Sequence, residues 1–148
     1  MKIFKTFIIA TVVISLASCS KDDKSSDSNS GGTSEKTRLL TLKPWKLTGK
    51  TYHSNANPQE TDIFSLESTC FIDNTYTFKT DNKVTIDEGA TKCNAAAPQT
   101  RENSWSFQSG ETILLLGSST NTLVSIDENT MVLQHKILDY VYSEKYTH

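Results

Sequence analysis

From Thr75 onward the chain alternates apolar and polar residues, and that period constrains the fold more than any other feature. Tyr76 and Phe78 alternate with Thr75, Thr77 and Lys79; Asp81-Asn82 makes a turn; Val84 and Ile86 alternate with Thr85; and Glu88-Gly89 ends the unit. Successive side chains on an extended strand point to opposite faces, so this pattern reads as a β-hairpin with one apolar face. A loop with Cys93 and Pro98 follows, and then Trp105 and Phe107 alternate with Ser104, Ser106 and Gln108 before the Ser109-Gly110 turn. Ile113 to Leu116 is apolar on both faces, which predicts a strand covered on both sides. Gly117-Ser118-Ser119 turns the chain into a strand at 123–126, Asp127-Glu128-Asn129 turns it into 131–136, and a last strand spans about 140–146. Turn signals recur throughout, and no helical pattern of ten or more residues is present. The expected fold is all-β: an antiparallel up-and-down meander closed as a barrel of about eight strands.

Upstream of the hairpin the signals are mixed. Leu39, Leu40 and Leu42 lead into Pro44-Trp45-Lys46-Leu47-Thr48, which reads as a short cap and then a first strand to about His53. Residues 54–60 read as a polar loop. Residues 62–67 place a capping Asp before an apolar face and predict one short helical turn. Residues 19–36 contain no large apolar side chain and are dominated by Ser, Asp, Lys, Asn and Gly. Such a segment cannot bury enough surface to offset its ordering entropy, so it is expected to be a flexible tether for a folded domain at 37–148.

Ahead of the tether, Lys2 and Lys5 precede an apolar run at 7–16, and Ala17 and Ser18 stand just before Cys19. This is a secretory signal at 1–18, too short to span a bilayer as a helix. Leu16-Ala17-Ser18-Cys19 resembles the lipobox of bacterial lipoproteins. The resemblance implies that Cys19 becomes the first mature residue and carries fatty-acyl chains such as palmitate, making a membrane the first expected partner. Each buried methylene is worth ~0.8 kcal/mol, and two or more chains anchor stably. Ser20-Lys21-Asp22-Asp23 is similar to the export signal that sends some Gram-negative lipoproteins to the outer face of the outer membrane, which implies a surface-exposed location; the alternative reading of the same residues is a solvated charge run.

Loss of the signal removes two lysines and no acid, leaving 13 basic residues against 17 acidic ones. A mildly acidic chain with scattered basic residues has no electrostatic footprint for nucleic acid. Of three cysteines, Cys19 is assigned to lipid, and Cys70 and Cys93 remain. In an oxidising compartment that pair is expected to close as a disulfide. There is no CxxC redox motif, and two cysteines without a nearby histidine make a poor zinc site.

The run Cys70-Phe71-Ile72-Asp73-Asn74-Thr75-Tyr76-Thr77-Phe78, then Glu88-Gly89-Ala90-Thr91-Lys92-Cys93, then Trp105 with its hairpin, resembles the lipocalin-like domain of small bacterial lipoproteins. The lead-in Leu42-Lys43-Pro44-Trp45-Lys46-Leu47 looks like that family's opening. The resemblance implies a lipocalin-shaped barrel with Cys70 and Cys93 bonded, and it implies no catalytic residues.

Nothing in the chain names an enzymatic chemistry, and the expectation is that it is not an enzyme. Gly-x-Ser-x-Gly and His-Glu-x-x-His are absent, and His53, His135 and His148 lie far apart. Asp73, Asn74, Asp81, Asn82 and Asp87 offer oxygen ligands on successive loops without calcium-loop spacing, and turn geometry accounts for them. No metal or other cofactor is expected. The aromatic set Trp45, Tyr76, Phe78, Trp105 and Phe107 carries the ambiguity, because an eight-stranded barrel is either filled by side chains or wide enough for one small ligand. Phe78 and Trp105 are the better candidates for a cavity lining, with Tyr76 and Phe107 beside them, and Trp45 reads as a plug. The expected function is binding of a small apolar or amphipathic molecule at the cell envelope. The alternative is an interaction module with a filled barrel and an exposed apolar patch near Ile113 to Leu116.

Overall fold

The computed structural model describes residues 33–148. Cys19 and its lipobox, the signal at 1–18 and the tether up to residue 32 lie outside the described residues. Chain order sets nine strands, all paired antiparallel: β1 (Trp45–Ser54), β2 (Asn57–Asp62), β3 (Thr75–Phe78), β4 (Lys83–Asp87), β5 (Thr100–Gln108), β6 (Ile113–Leu116), β7 (Ser119–Ile126), β8 (Thr130–Ile137) and β9 (Tyr140–Thr147). From β3 to β9 each strand pairs with the next, β1 pairs with β3, and β9 returns to pair with β1. Eight strands therefore close a ring, as the alternation predicts. The ninth, β2, lies outside it and pairs only with β1.

The sequence reads residues 54–60 as a loop, and the structure corrects this to a hairpin arm. All six residues of β2 are exposed, so no buried face marks the strand, and Pro58 lies where a proline is tolerated, on an edge. The second half of β1 rises beyond the ring between β2 and β9. The β1–β2 and β8–β9 hairpins run side by side there, with Asn55 N donating to Asp139 O at 2.9 Å. Together these strands make a ribbon above one end of the barrel.

The opposite end is closed by a helix, α1 (Glu35–Thr41), which begins inside the stretch expected to be tether. Ser34 caps it by accepting from Thr37 N at 3.1 Å, and Glu35 in the first turn and Arg38 in the last match the helix dipole. Leu39 and Leu40 are buried beneath it. Lys36 Nζ donates to Glu111 O at 2.8 Å, and Arg38 reaches Glu128 at 3.4 Å, which pins the helix across the β5–β6 and β7–β8 turns.

Between β1 and β3, a single 3-10 turn at Phe64–Leu66 matches the helical turn expected at 62–67. A second short helix, α2 (Thr69–Ile72), was not anticipated. Cys70 of α2 is bonded to Cys93 in the β4–β5 loop, which ties α2 to the open end of the ring.

The core fills the closed half. Leu40, Trp45, Phe78, Val84, Trp105, Leu114, Leu123 and Met131 pack together there. Trp45 is fully buried and its indole donates to Leu40 O at 2.9 Å, while the Trp105 indole donates to Lys79 O at 2.9 Å. Each ring thus buries its large surface with its one donor satisfied. Leu114 is fully buried and Ile113, Leu115 and Leu116 are half-buried, so β6 presents no exposed apolar patch.

Two irregularities set which residues face inward. Leu47 stands opposite Tyr146, but Gly49 stands opposite Lys145 and Lys50 opposite Glu144, so Thr48 is an extra residue in β1. Inward positions are Trp45 and Leu47 below this bulge and Lys50, Tyr52 and Ser54 above it. A similar shift at Val124 in β7 leaves that side chain about half exposed.

Candidate functional site

Above the apolar core the barrel interior changes character. The inward residues of β9 run Tyr146, Glu144, Tyr142 and Tyr140, those of β8 run Met131, Leu133, His135 and Ile137, and β1 adds Lys50 and Tyr52 opposite Glu144 and Tyr142. Of these, Tyr146, Glu144, Leu133, His135 and Lys50 line a half-open cavity of about 540 Å3. Leu47, Leu116, Leu133 and Tyr146 give it an apolar wall and Lys50, Glu67, Asn121, His135 and Glu144 a polar one, the two meeting where Leu133 stands opposite Glu144, with Ser119 and Thr120 from β7 and Phe71 from α2 at the side.

An ion-pair chain crosses this space. Lys50 Nζ lies 2.8 Å from Glu67 Oε1 and 3.4 Å from Glu144 Oε1, and all three side chains are at most 22% exposed. Glu144 Oε2 in turn accepts from the Tyr146 hydroxyl at 2.8 Å. Burial pulls the Lys50 ammonium down, but the hydrogen bond it donates to Glu67 and the charges of Glu144 and Glu67 outweigh it and hold the group above its ordinary value. Burial pushes the Tyr146 phenol well up, and the nearby Glu144 carboxylate adds to the shift. Tyr76 is raised by burial as well, against an opposing hydrogen bond from Asn74. Both phenols therefore stay neutral near neutral pH.

The wall formed by β3 and β4 is also polar near its top. Glu88 continues the inward series Val84, Ile86, and Asn74 precedes the Thr75–Asp87 pair. Asn74 and Glu88 are both buried, and Asn74 Oδ1 and Glu88 Oε2 have no hydrogen-bond partner among the described residues. Arg101 Nη1 holds the other Glu88 oxygen at 3.3 Å.

Above the cavity the ribbon presents aromatic rings. His135 stacks on Tyr142 with centroids 5.3 Å apart and planes 7° from parallel. Tyr52 packs against Tyr142 at 6.0 Å and Tyr140 at 5.9 Å. His135 also lines the cavity, so ribbon and cavity share one continuous surface.

The five aromatic residues singled out from the sequence divide between two places. Tyr76 lines the cavity, packed edge-to-face on Tyr146 at 5.7 Å. Trp45, Phe78 and Trp105 belong to the core, and Phe107 packs against it. Phe78, Trp105 and Phe107 form one edge-to-face stack, with centroids 5.9 and 5.6 Å apart. Alternation put these rings on the inward face correctly but carried no information on height along the barrel, which separates filling from lining. The turn acids serve turns: Asp81 Oδ1 accepts from Lys83 N and Asp87 Oδ1 from Gly89 N. The histidines do not meet, with His53 on the outer face of β1, His135 in the cavity wall, and His148 against Trp45 at the closed end. Among the described residues, no three His, Cys, Asp or Glu side chains are placed to hold a metal.

Comparison with protein-family models finds no match to this chain, and comparison with curated protein sequences finds none.

Proposed function

We propose that this chain is a membrane-anchored lipoprotein of the cell envelope whose lipocalin-like barrel takes one small amphipathic molecule into its open end, without catalysis. The observation that carries the binding reading is the half-open cavity of about 540 Å3, lined by apolar and charged side chains together. Its volume falls within the range of small-molecule sites. A wholly apolar guest would strip water from Lys50, Glu67 and Glu144 and return no hydrogen bonds, an unfavourable exchange. An amphipathic guest meets both walls. The anchor rests on Leu16-Ala17-Ser18-Cys19 and the lysine-acid run behind it, which direct the chain to the outer membrane.

Two experiments test the two parts. Native mass spectrometry of the full-length protein, extracted from its membrane in mild detergent, is expected to show a bound small molecule that is lost in Ser119→Trp, where the new indole, on the inward parity of Asn121 and Leu123, enters the cavity mouth. An empty wild-type protein that takes up no amphipathic probe would falsify the binding reading. Labelling cells with a fatty-acid probe is expected to mark the wild type and not Cys19→Ala; equal labelling of both defeats the anchor.

A further inference from the structure

The chain has five tyrosines, and all five lie on the inner face of the open half: Tyr76 and Tyr146 at the cavity, Tyr52, Tyr140 and Tyr142 on the ribbon above it. Both tryptophans, with Phe78 and Phe107, pack in or against the core of the closed half. Tyr146 also belongs to the core cluster and Tyr76 packs against it, so the tyrosine rings that stand clear of the core are Tyr52, Tyr140 and Tyr142 on the ribbon. Such a surface offers flat apolar faces with polar edges. Tyr140 is 44% exposed, so the platform is accessible from solvent.

The polar groups of the cavity have a matching character. Lys50 is the cation on the inward face of the lining and is paired with both Glu67 and Glu144, so an anionic guest meets no uncommitted cation there. Lysine only donates and a carboxylate only accepts, while Ser119, Thr120 and Asn121 do both. A guest that answers this set needs groups that donate and accept on the same molecule, and a flat apolar face for the tyrosines. Resting on the binding reading above, we infer that the ligand is a neutral oligosaccharide, with its terminal ring in the cavity and the next rings stacked along Tyr142, Tyr52 and Tyr140. Sugar hydroxyls both donate and accept, and the C–H face of a pyranose is apolar. A fatty acyl chain has no use for the Lys50 ion-pair chain. A phosphorylated ligand would meet Glu67 and Glu144, and a flat aromatic would stack on the ribbon but leave the charged wall unanswered.

The test uses the full-length protein in mild detergent on an array of neutral oligosaccharides, followed by calorimetric titration of the strongest binder. Binding is expected in the wild type, weakened about tenfold or more in Tyr52→Ala and Tyr142→Ala, where a stacking face is lost, and little changed in Tyr142→Phe, which keeps the face. The phenylalanine variant also guards against a folding defect at that position. Palmitate is titrated in parallel. Palmitate uptake that Ser119→Trp blocks, with no oligosaccharide bound, overturns the saccharide inference and leaves the cavity reading standing. Failure of both probes overturns both. Saccharide binding indifferent to the tyrosine-to-alanine changes also overturns the inference, since the platform then has no part in it.

Discussion

The Tyr146 hydroxyl donates to Glu144 Oε2 at 2.8 Å, one inward position away on the same strand. A buried phenol is thereby committed to a carboxylate that also faces Lys50. The contact couples the floor of the cavity to its charged wall, and it makes the neutral form of the tyrosine part of the folded state.

Alkaline stability follows from that commitment. Tyr146 and Tyr76 are both raised above the ordinary tyrosine value of about 10. A group whose folded value is raised contributes stability that is complete below its unfolded value and is lost as pH rises through the folded one. Urea midpoints are therefore expected to hold up to about pH 10 and to fall above it, with phenolate absorbance from these two residues appearing late or only on unfolding. The double variant Tyr76→Phe/Tyr146→Phe should flatten the fall. Ionisation of all five tyrosines near pH 10 with no loss of stability would contradict this.

Removal of Lys50 leaves Glu67 and Glu144 facing each other without their shared cation. Lys50→Met is expected to cost about 1–3 kcal/mol by urea unfolding, as for a part-buried charge that loses its partner. Adding Glu144→Gln should recover part of that loss, giving a coupling of opposite sign to the single effects. Simple additivity of the two changes would show that Lys50 and Glu144 are not coupled.

The Cys70–Cys93 bond joins residues 23 positions apart, with Cα atoms 5.1 Å from each other. Cys70→Ala/Cys93→Ala is expected to lose about 3 kcal/mol in urea unfolding, through the greater freedom of the unfolded chain. Mass analysis before and after reduction should also register a change in the wild type, and two free thiols in the unreduced protein would argue against the bond.

Glycine substitution separates two sites of similar backbone. Gly89 and Gly110 have φ of +62° and +64°, so alanine is strained at either, by about 1–2 kcal/mol. A Cβ at Gly110 meets nothing within 4 Å, whereas one at Gly89 lies 2.5 Å from the Asp73 carbonyl oxygen. Gly89→Ala is expected to lose roughly a further 1–3 kcal/mol by thermal or urea unfolding, because the obstacle is backbone and must shift. Equal losses at the two positions would remove that explanation.

The ring of strands was legible because one apolar face leaves a period in the sequence. Tyr76, Phe78, Val84, Ile86, Trp105 and Phe107 all lie on the inward side that alternation assigns. β2 was not legible, since a strand exposed on both faces has no period to show. α1 left only Ser34 before Glu35 and the Leu39-Leu40 pair, too few residues for a helical stripe. The cavity was harder still. Tyr76 was the sole lining residue among the aromatic candidates, and Lys50, Glu67, His135 and Glu144 come from distant stretches in which each reads as an ordinary charged or polar surface residue. For Lys50 the rule itself misleads: counting by twos from Trp45 and Leu47 puts Gly49, Thr51 and His53 inside.

The bulge at Thr48 acts as a phase shift. Trp45 and Leu47 are read in one parity and Lys50 and Tyr52 in the other, so a single strand serves a dry compartment and a wet one without any turn between them. Where the boundary falls depends on the number of residues in the strand more than on their identity. The same strand drawn out without the bulge would keep every amino acid of the site and aim its lysine and its first tyrosine at solvent.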